Sequence, residues 1–258
     1  MKIGIAGYTG RVGQLLIAEL QSGAWQSQGL ELAGGLARTI PAASATPSFF
    51  VTDNPQELFA RSEAVIDFTL PESTLINAEI AAKTQKALII GTTGLSQTQE
   101  DALAKAAATA PIVYAANMSL GVNLLMALVE KAARALAPDE WDIEIFEAHH
   151  NKKIDSPSGT ALALAKSAAK GRQTTLPEHI KADRSGQRQT GDIGFGVVRG
   201  GDVVGEHSVY FYGMGERLEL THRATNRALF ARGALKAALW AKGKPAGLYS
   251  MHDVLGLS

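Results

Sequence analysis

The chain has 258 residues, a formal net charge of +0, 46% hydrophobic and 19% charged residues, and no cysteine. Such a composition buries a substantial core in one large domain or two smaller ones. Zero net charge supplies no basic excess for a nucleic-acid or membrane-surface partner, and the lack of cysteine excludes disulfides, thiolate metal sites and cysteine nucleophiles.

The amino terminus, MKIGIAGYTG, runs straight into a glycine motif, and the expectation is that no cleavable signal precedes it. No apolar run approaches the ~20 residues that span a bilayer. A cytoplasmic location is the expectation. Short β-rich runs at 2–6, 30–37, 64–69, 87–92 and 111–116 alternate with helical patterns at 11–21, 55–62, 72–85 and 97–108. Ser96 and Gln99 fit a capping box for the last of these. Apolar strands alternating with helices predict a parallel sheet covered on both faces. The stretch 38–49, rich in Ser, Thr, Ala and Pro, reads as a mobile surface loop.

The pattern changes after residue 118. Residues 119–137 read as a long helix with Ser119 as N-cap, and 141–150 alternate as a half-exposed strand. Strands follow at 193–200, 202–212 and 216–224. Gly200-Gly201 and Gly213-Met214-Gly215 separate them, which predicts a meander of two tight hairpins. Residues 228–241 are helical. The fold class expected is an α/β Rossmann-like nucleotide domain plus an α+β domain with a mixed, roughly four-stranded sheet.

Gly7, Gly10 and Gly13 lie just after the first strand and at the opening of a helix. The spacing is GxxGxxG, a variant of the dinucleotide fingerprint. One glycine serves a tight turn, one lets the backbone approach a pyrophosphate, and one permits close helix–strand packing. The helix N-terminus offers N–H donors to the phosphates. The blander alternative is a tight turn without a ligand. The second strand ends GLARTIP, with no acid to hold a ribose 2′-hydroxyl; Arg38 and Thr39 stand there instead. That favours NADPH, with NADH possible, unless Arg38 is only a solvated surface charge. GTTG (91–94) and AANMS (115–119) fall at the carboxyl ends of later strands, where ligands of open α/β sheets bind.

The segment 147–164, EAHHNKKIDSPSGTALAL, gathers positive charge in a neutral chain. Adjacent strand residues face opposite ways, so His149 and His150 do not pair on one metal. With neither HExxH nor cysteines, no metal is expected. Ser156 reads as an N-cap with Pro157 at the first helical position. The N–H groups of Ser158, Gly159 and Thr160 then form a turn suited to a carboxylate, with Lys152, Lys153 and the histidines around it. Histidine titrates near neutrality and can donate a proton. A small dicarboxylate substrate fits this arrangement; a solvated basic loop before an ordinary helix is the alternative. His179 reads as exposed. His207 and His222 read as structural, although His207 has a place at the site within reach, and His252 has no role.

GYTGRVG, IDFTLPE, GTTG, AANMSLGVN, EAHHNKKIDSPSGTAL, GFGVVRGGDVVGEH and GLYSMHDVLGL occur in this order along the whole chain. In these motifs the sequence resembles the dihydrodipicolinate reductase family. The resemblance implies an NAD(P)H-dependent reductase of 4-hydroxy-tetrahydrodipicolinate, releasing water, on the diaminopimelate route to lysine. It implies that Gly7, Tyr8, Thr9, Gly10, Arg11 and Val12 hold the pyrophosphate. Gly91, Thr92 and Thr93, with Ala115, Ala116, Asn117 and Met118, would contact the cofactor near its nicotinamide half. His149 would be the catalytic proton donor/acceptor and Lys153 a second proton donor, and His150, Gly159 and Thr160 would bind the substrate carboxylates. Many members carry an acid at the position of Ala37 followed by arginine; here only Arg38 remains. A discontinuous nucleotide domain (1–119 and 230–258), a substrate and assembly domain (120–229) and a homotetramer are implied as well. Another two-domain NAD(P)-dependent amino-acid dehydrogenase, or a non-catalytic dinucleotide sensor, accounts for the glycine loop but not for the HH…K…SGT cluster.

Overall fold

The computed structural model describes residues 1–40, 47–175, 180–181 and 185–257. Residues 41–46 of the expected loop, and His179, lie outside the described residues. The chain divides into two compact units, Met1–Leu120 with Arg227–Ser258, and Gly121–Asn226.

In the first unit, β1 (Lys2–Ala6), β2 (Glu31–Leu36), β3 (Val51–Thr52), β4 (Ala64–Asp67), β5 (Ala87–Ile90), β6 (Pro111–Tyr114) and β12 (Gly247–Tyr249) form one sheet in the order β12-β6-β5-β4-β1-β2-β3. Every pairing is parallel. Alternation sends Ile3, Ile5, Ile66, Ile89 and Val113 to one face, under Leu16 and Leu20 of α1 (Arg11–Gln21) and Ala231, Leu235 and Ala238 of α7 (Ala228–Ala241). The other face carries Ala6, Val65, Leu88, Ile90 and Ile112. They pack under α2 (Pro55–Arg61), α3 (Pro71–Thr84) and α4 (Gln97–Ala106) through Leu58, Phe59, Ala78, Ala81 and Leu103. Burial on both faces is why these strands read as unbroken apolar runs. The capping box expected at Ser96 and Gln99 is formed. Connections leave β1 in one direction for β2 and in the other for β4. The carboxyl ends of β1 and β4 therefore flank the topological switch point, where open α/β sheets bind ligands. The two edge strands, β3 and β12, and the short α8 (Met251–Leu255) are additions to the sequence reading.

In the second unit, the sheet order is β11-β10-β7-β9-β8. The strands are β7 (Asp142–His149), β8 (Ile180–Lys181), β9 (Ile193–Arg199), β10 (Gly205–Gly213) and β11 (Glu216–Ala224). The mixed sheet expected from sequence is present, with two-residue β8 as a fifth member. The meander is corrected. β10 and β11 form a hairpin through Met214 and Gly215, but β9 and β10 are not neighbours. They flank β7, β9 in parallel and β10 antiparallel. Gly200-Gly201 opens a crossover over the end of β7, where Gly200 N–H donates to His149 O at 2.9 Å and His150 N–H to Val203 O at 2.8 Å. One face of the sheet, with Ile143, Ile145, Phe195, Val209 and Phe211, packs under α5 (Leu120–Ala135) and α6 (Gly159–Gly171) through Leu125, Val129, Leu164, Ala165 and Ala168. The opposite face presents Val198 and the stacked rings of Tyr210 and Tyr212, 5.7 Å apart. No helix among the described residues is long and apolar enough to cross a membrane.

Candidate active site

Backbone geometry explains the glycines of the first βα turn. Gly7 has φ +80°, and a Cβ there would lie 2.8 Å from Phe68 O. A Cβ on Gly13 would lie 2.2 Å from Gly7 O, so only glycine lets α1 approach the turn this closely. Gly10 is the N-cap of α1 and has no side chain to close the helix end. The N–H groups of Arg11, Val12 and Gly13 therefore open the first turn towards an anion. Gly7 N–H and Tyr8 N–H both point to Leu36 O, at 2.9 and 3.4 Å. Tyr8 turns its side chain into the core, edge-on to Phe49 at 5.7 Å, and burial pushes its hydroxyl pKa up. Thr9, Gly10 and Arg11 are exposed and Val12 is half-buried. Arg38, two residues past β2, is exposed as well.

At the carboxyl end of β4, Asp67 is fully buried. It accepts hydrogen bonds from Thr69 N–H (2.9 Å), Thr69 Oγ1 (2.6 Å) and Asn77 Nδ2 (2.9 Å). Burial raises its pKa, and those donors oppose the rise without cancelling it. Thr92 belongs to the same network: its Oγ1 accepts from Thr69 N–H at 3.1 Å and from Thr74 Oγ1 at 2.8 Å. Gly91 lies under the Phe68 ring, where a Cβ would meet ring carbon Cε1 at 2.2 Å. Thr93 and Ala116 are exposed and Ala115 is half-buried. Asn117 Oδ1 accepts from Ser119 N–H at 2.9 Å, and Met118 is part of the core. The structure thus brings residues 7–12, 91–93 and 115–118 to the carboxyl edge of one sheet. It turns the side chains of Tyr8, Thr92 and Met118 away from that edge and leaves their backbone there.

In the second unit, Glu147 and His149 alternate onto the helix-covered face of β7 behind Ile143 and Ile145. His149 Nδ1 lies 2.5 Å from Glu147 Oε2. Arg199, opposite His149 on β9, grips both oxygens of Glu147, Nη1 to Oε2 at 2.8 Å and Nη2 to Oε1 at 2.7 Å. Ser158 N–H donates to Oε1 at 2.9 Å. Burial pushes the Glu147 carboxyl up, but bonds from Arg199, His149 and Ser158 together hold it below the usual range. Burial drives the His149 pKa down, and the opposing pull of Glu147 does not restore it. His207, across the sheet on β10, stacks edge-on to His149 with centroids 5.1 Å apart, and its Nε2 is 3.1 Å from Ser158 Oγ. Burial first, and the His149 charge second, push His207 down to about 4; its Nδ1 is buried without a partner.

The cap of α6 differs from expectation. The helix starts at Gly159, and the N-cap is Ser158, whose Oγ accepts from Ala161 N–H at 3.2 Å. Ser156 and Pro157 precede it. Of the two serines, only Ser158 has an N–H three residues on within reach of its hydroxyl. Ser158 N–H is engaged by Glu147, and Gly159 N–H faces the Asp155 carboxylate, which also pairs with Lys153. A Cβ at exposed Gly159 would meet nothing within 4 Å. Lys153 Nζ contacts both oxygens of Asp155 at 2.8 and 2.9 Å, and this pairing holds Asp155 below the usual carboxylate range. His150 is half-buried and its Nδ1 accepts from Lys152 N–H at 3.2 Å. His149, His150, Lys153, Gly159 and Thr160 thus occupy one end of β7 and the turn that follows it. Sequence reasoning missed Glu147, Arg199 and Asp67. The signal for Glu147 was its place two residues before His149, on the same strand face.

A glycine turn at the switch point of a parallel sheet, in one chain with a second unit carrying a histidine–lysine cluster at a helix opening, defines a dinucleotide-dependent oxidoreductase. The family described as dihydrodipicolinate reductase matches through its N-terminal part over residues 1–118 and its C-terminal part over residues 121–255. The chain belongs to that family. It is 49% identical to the 4-hydroxy-tetrahydrodipicolinate reductase of Methylocella silvestris over 270 residues, covering 100% of this chain and 97% of that one. It is 46% identical to that of Brucella abortus over 268 residues, covering all of both. A dipicolinate-bound dihydrodipicolinate reductase from Paenisporosarcina sp. TG-14 shares the fold with a TM-score of 0.79, at 23% identity over 97% of each chain.

Proposed function

We propose that this protein reduces 4-hydroxy-tetrahydrodipicolinate to tetrahydrodipicolinate with loss of water, at the expense of NAD(P)H, in lysine biosynthesis through diaminopimelate. The observation that carries the reading is the grouping of His149, His150, Lys153 and the first turn of α6 at one end of β7. The substrate is a cyclic imine with two carboxylates, and the relative from Paenisporosarcina binds a cyclic dicarboxylate. Gly159 and Thr160 at the helix opening receive one carboxylate, with His150 beside it. Lys153 exchanges its partner Asp155 for substrate charge. His149 or Lys153 delivers the proton, a contribution typically worth ~10²–10⁴-fold.

The nucleotide unit (roughly 1–119 and 230–258) holds the dinucleotide along Gly7, Tyr8, Thr9, Gly10, Arg11 and Val12 and beside Gly91, Thr92, Thr93 and Ala115, Ala116, Asn117 and Met118. Bound there, the reduced nicotinamide supplies the hydride. Arg38 takes the 2′-phosphate of NADPH, the favoured cofactor. Residues 120–229 bind substrate and assemble a homotetramer through the sheet face bearing Tyr210 and Tyr212. The enzyme acts in the cytoplasm.

The test is a coupled assay in which the preceding synthase makes the substrate from pyruvate and aspartate semialdehyde. NADPH and NADH oxidation are followed separately. Substrate-dependent oxidation is expected, faster with NADPH at low concentration. Tight cofactor binding without oxidation would replace the reading with a dinucleotide sensor.

A further inference from the structure

We propose that Glu147 and Arg199 are a positioning pair for His149: they hold its ring with Nδ1 protonated towards Glu147, so that Nε2 is the nitrogen presented to the substrate. The inference rests on the reading of His149 as the residue that delivers the proton: with Nδ1–H kept on Glu147, Nε2 takes up the proton and releases it to substrate from the imidazolium that the carboxylate stabilises.

Three observations carry it. Glu147 is completely buried, and a buried carboxylate is retained only where it is fully paired. Its acceptor capacity is taken by Arg199, Ser158 N–H and His149, so Nδ1, 2.5 Å from Oε2, is held as the donor. Arg199 is itself fixed by Val198 O and Asp155 O, at 2.8 and 2.9 Å, which ties the pair to β9 and to the loop that carries Lys153. At the other ring nitrogen, the neighbour is Gly205. A Cβ there would stand 3.0 Å from His149 Nε2. Glycine leaves that side of the ring open, while Glu147 closes the other. Neither Glu147 nor Arg199 has a role in binding substrate in the reading above.

Glu147→Gln separates positioning from bulk. Ser158 N–H and Arg199 Nη2, which both donate to Oε1, hold the only amide oxygen there, which turns the NH₂ group towards Nδ1. The ring must then accept at Nδ1 and carry its only proton on Nε2, and it no longer forms the imidazolium from which Nε2 releases a proton. An orienting carboxylate replaced by its amide acts in this way in serine proteases, with large losses in kcat. Here kcat is expected to fall about tenfold or more, with KM for substrate changed little. The alkaline limb of the rate profile, where the donor loses its proton, is a second readout. The charged or titratable groups facing His149 are Glu147 on its own strand, Arg199 on β9, Lys153 in the loop and His207 on β10, with His222 behind His207 on β11. Arg199→Met removes a cation and releases Glu147 to act on the ring, so the limb moves to higher pH; Glu147→Gln moves it lower.

The deciding experiment is ¹⁵N NMR of histidine-labelled protein, with His149→Gln used to assign the signal. Wild type is expected to carry the proton on Nδ1 and Glu147→Gln on Nε2. Wild type protonated on Nε2 overturns the proposal, even if neither variant folds. So does Glu147→Gln with unchanged kcat and tautomer. Unchanged turnover in His149→Gln would instead remove the proton-donor reading and leave the tautomer result standing.

Discussion

His207 makes the second unit sensitive to acid, and the size of the effect follows from its burial. The residue is 4% exposed, and its pKa is pushed from 6.5 to about 4. The unfolded chain takes up a proton as pH falls through 6.5, while the folded chain excludes it until about 4. Stability from this residue is therefore present above 6.5, declines between 6.5 and 4, and levels off below. The gap of about 2.5 in pKa, at about 1.4 kcal/mol each, amounts to roughly 3 kcal/mol. The assay is urea unfolding of wild type and His207→Gln at pH 7.5, 6.5, 5.5 and 4.5. The variant starts from a different absolute stability, so the comparison lies in the slope. Burial also lowers His149 and His222, but both are present in the two proteins and largely cancel. Wild type is expected to lose about 2.5 kcal/mol more than the variant between pH 7.5 and 4.5. Parallel losses would refute the reasoning, because His207 would then be titrating as an ordinary exposed imidazole.

Gly13→Ala drives a methyl into the Gly7 carbonyl. It is expected to cost about 1–3 kcal/mol in denaturant unfolding and to weaken dinucleotide binding in fluorescence titration. Arg38→Ala should lower affinity for NADPH about tenfold or more and leave NADH unchanged, since a charge-assisted bond to phosphate is lost; equal effects on both would make Arg38 a surface charge. Gly159→Ala adds a Cβ that meets no protein atom. Stability is therefore expected to hold within about 1 kcal/mol, with a raised substrate KM and little change in kcat. An unchanged KM would take the carboxylate away from that turn.

Much of the first unit was legible because its chemistry is local. The GxxGxxG spacing marks a turn where a side chain at residue 7 or 13 would overlap backbone, and two-sided burial writes itself as apolar runs at β1, β4 and β5. Edge strands β3 and β12 were not legible, being two and three residues long. In the second unit, Gly200-Gly201 has the composition of a hairpin turn, yet its hydrogen bonds go to His149 and Asn151 at the end of β7. Local composition cannot tell a crossover from a hairpin, because the partner strand lies far away in sequence. Glu147 was missed for the same reason: a charged residue on a buried strand face makes sense only once Arg199, 52 residues on, is seen to neutralise it. The Ser158 cap was misplaced by two residues because Ser-Pro-Ser offers two hydroxyls, and only geometry distinguishes them.

The claim on which the rest depends is that the end of β7 and the loop after it do the proton chemistry. Its most direct test is the steady-state oxidation of NADPH by His149→Gln and Lys153→Ala, with dinucleotide affinity measured on the same samples. Turnover is expected to fall by about two decades in each variant with cofactor affinity retained. Wild-type turnover in both variants would contradict it.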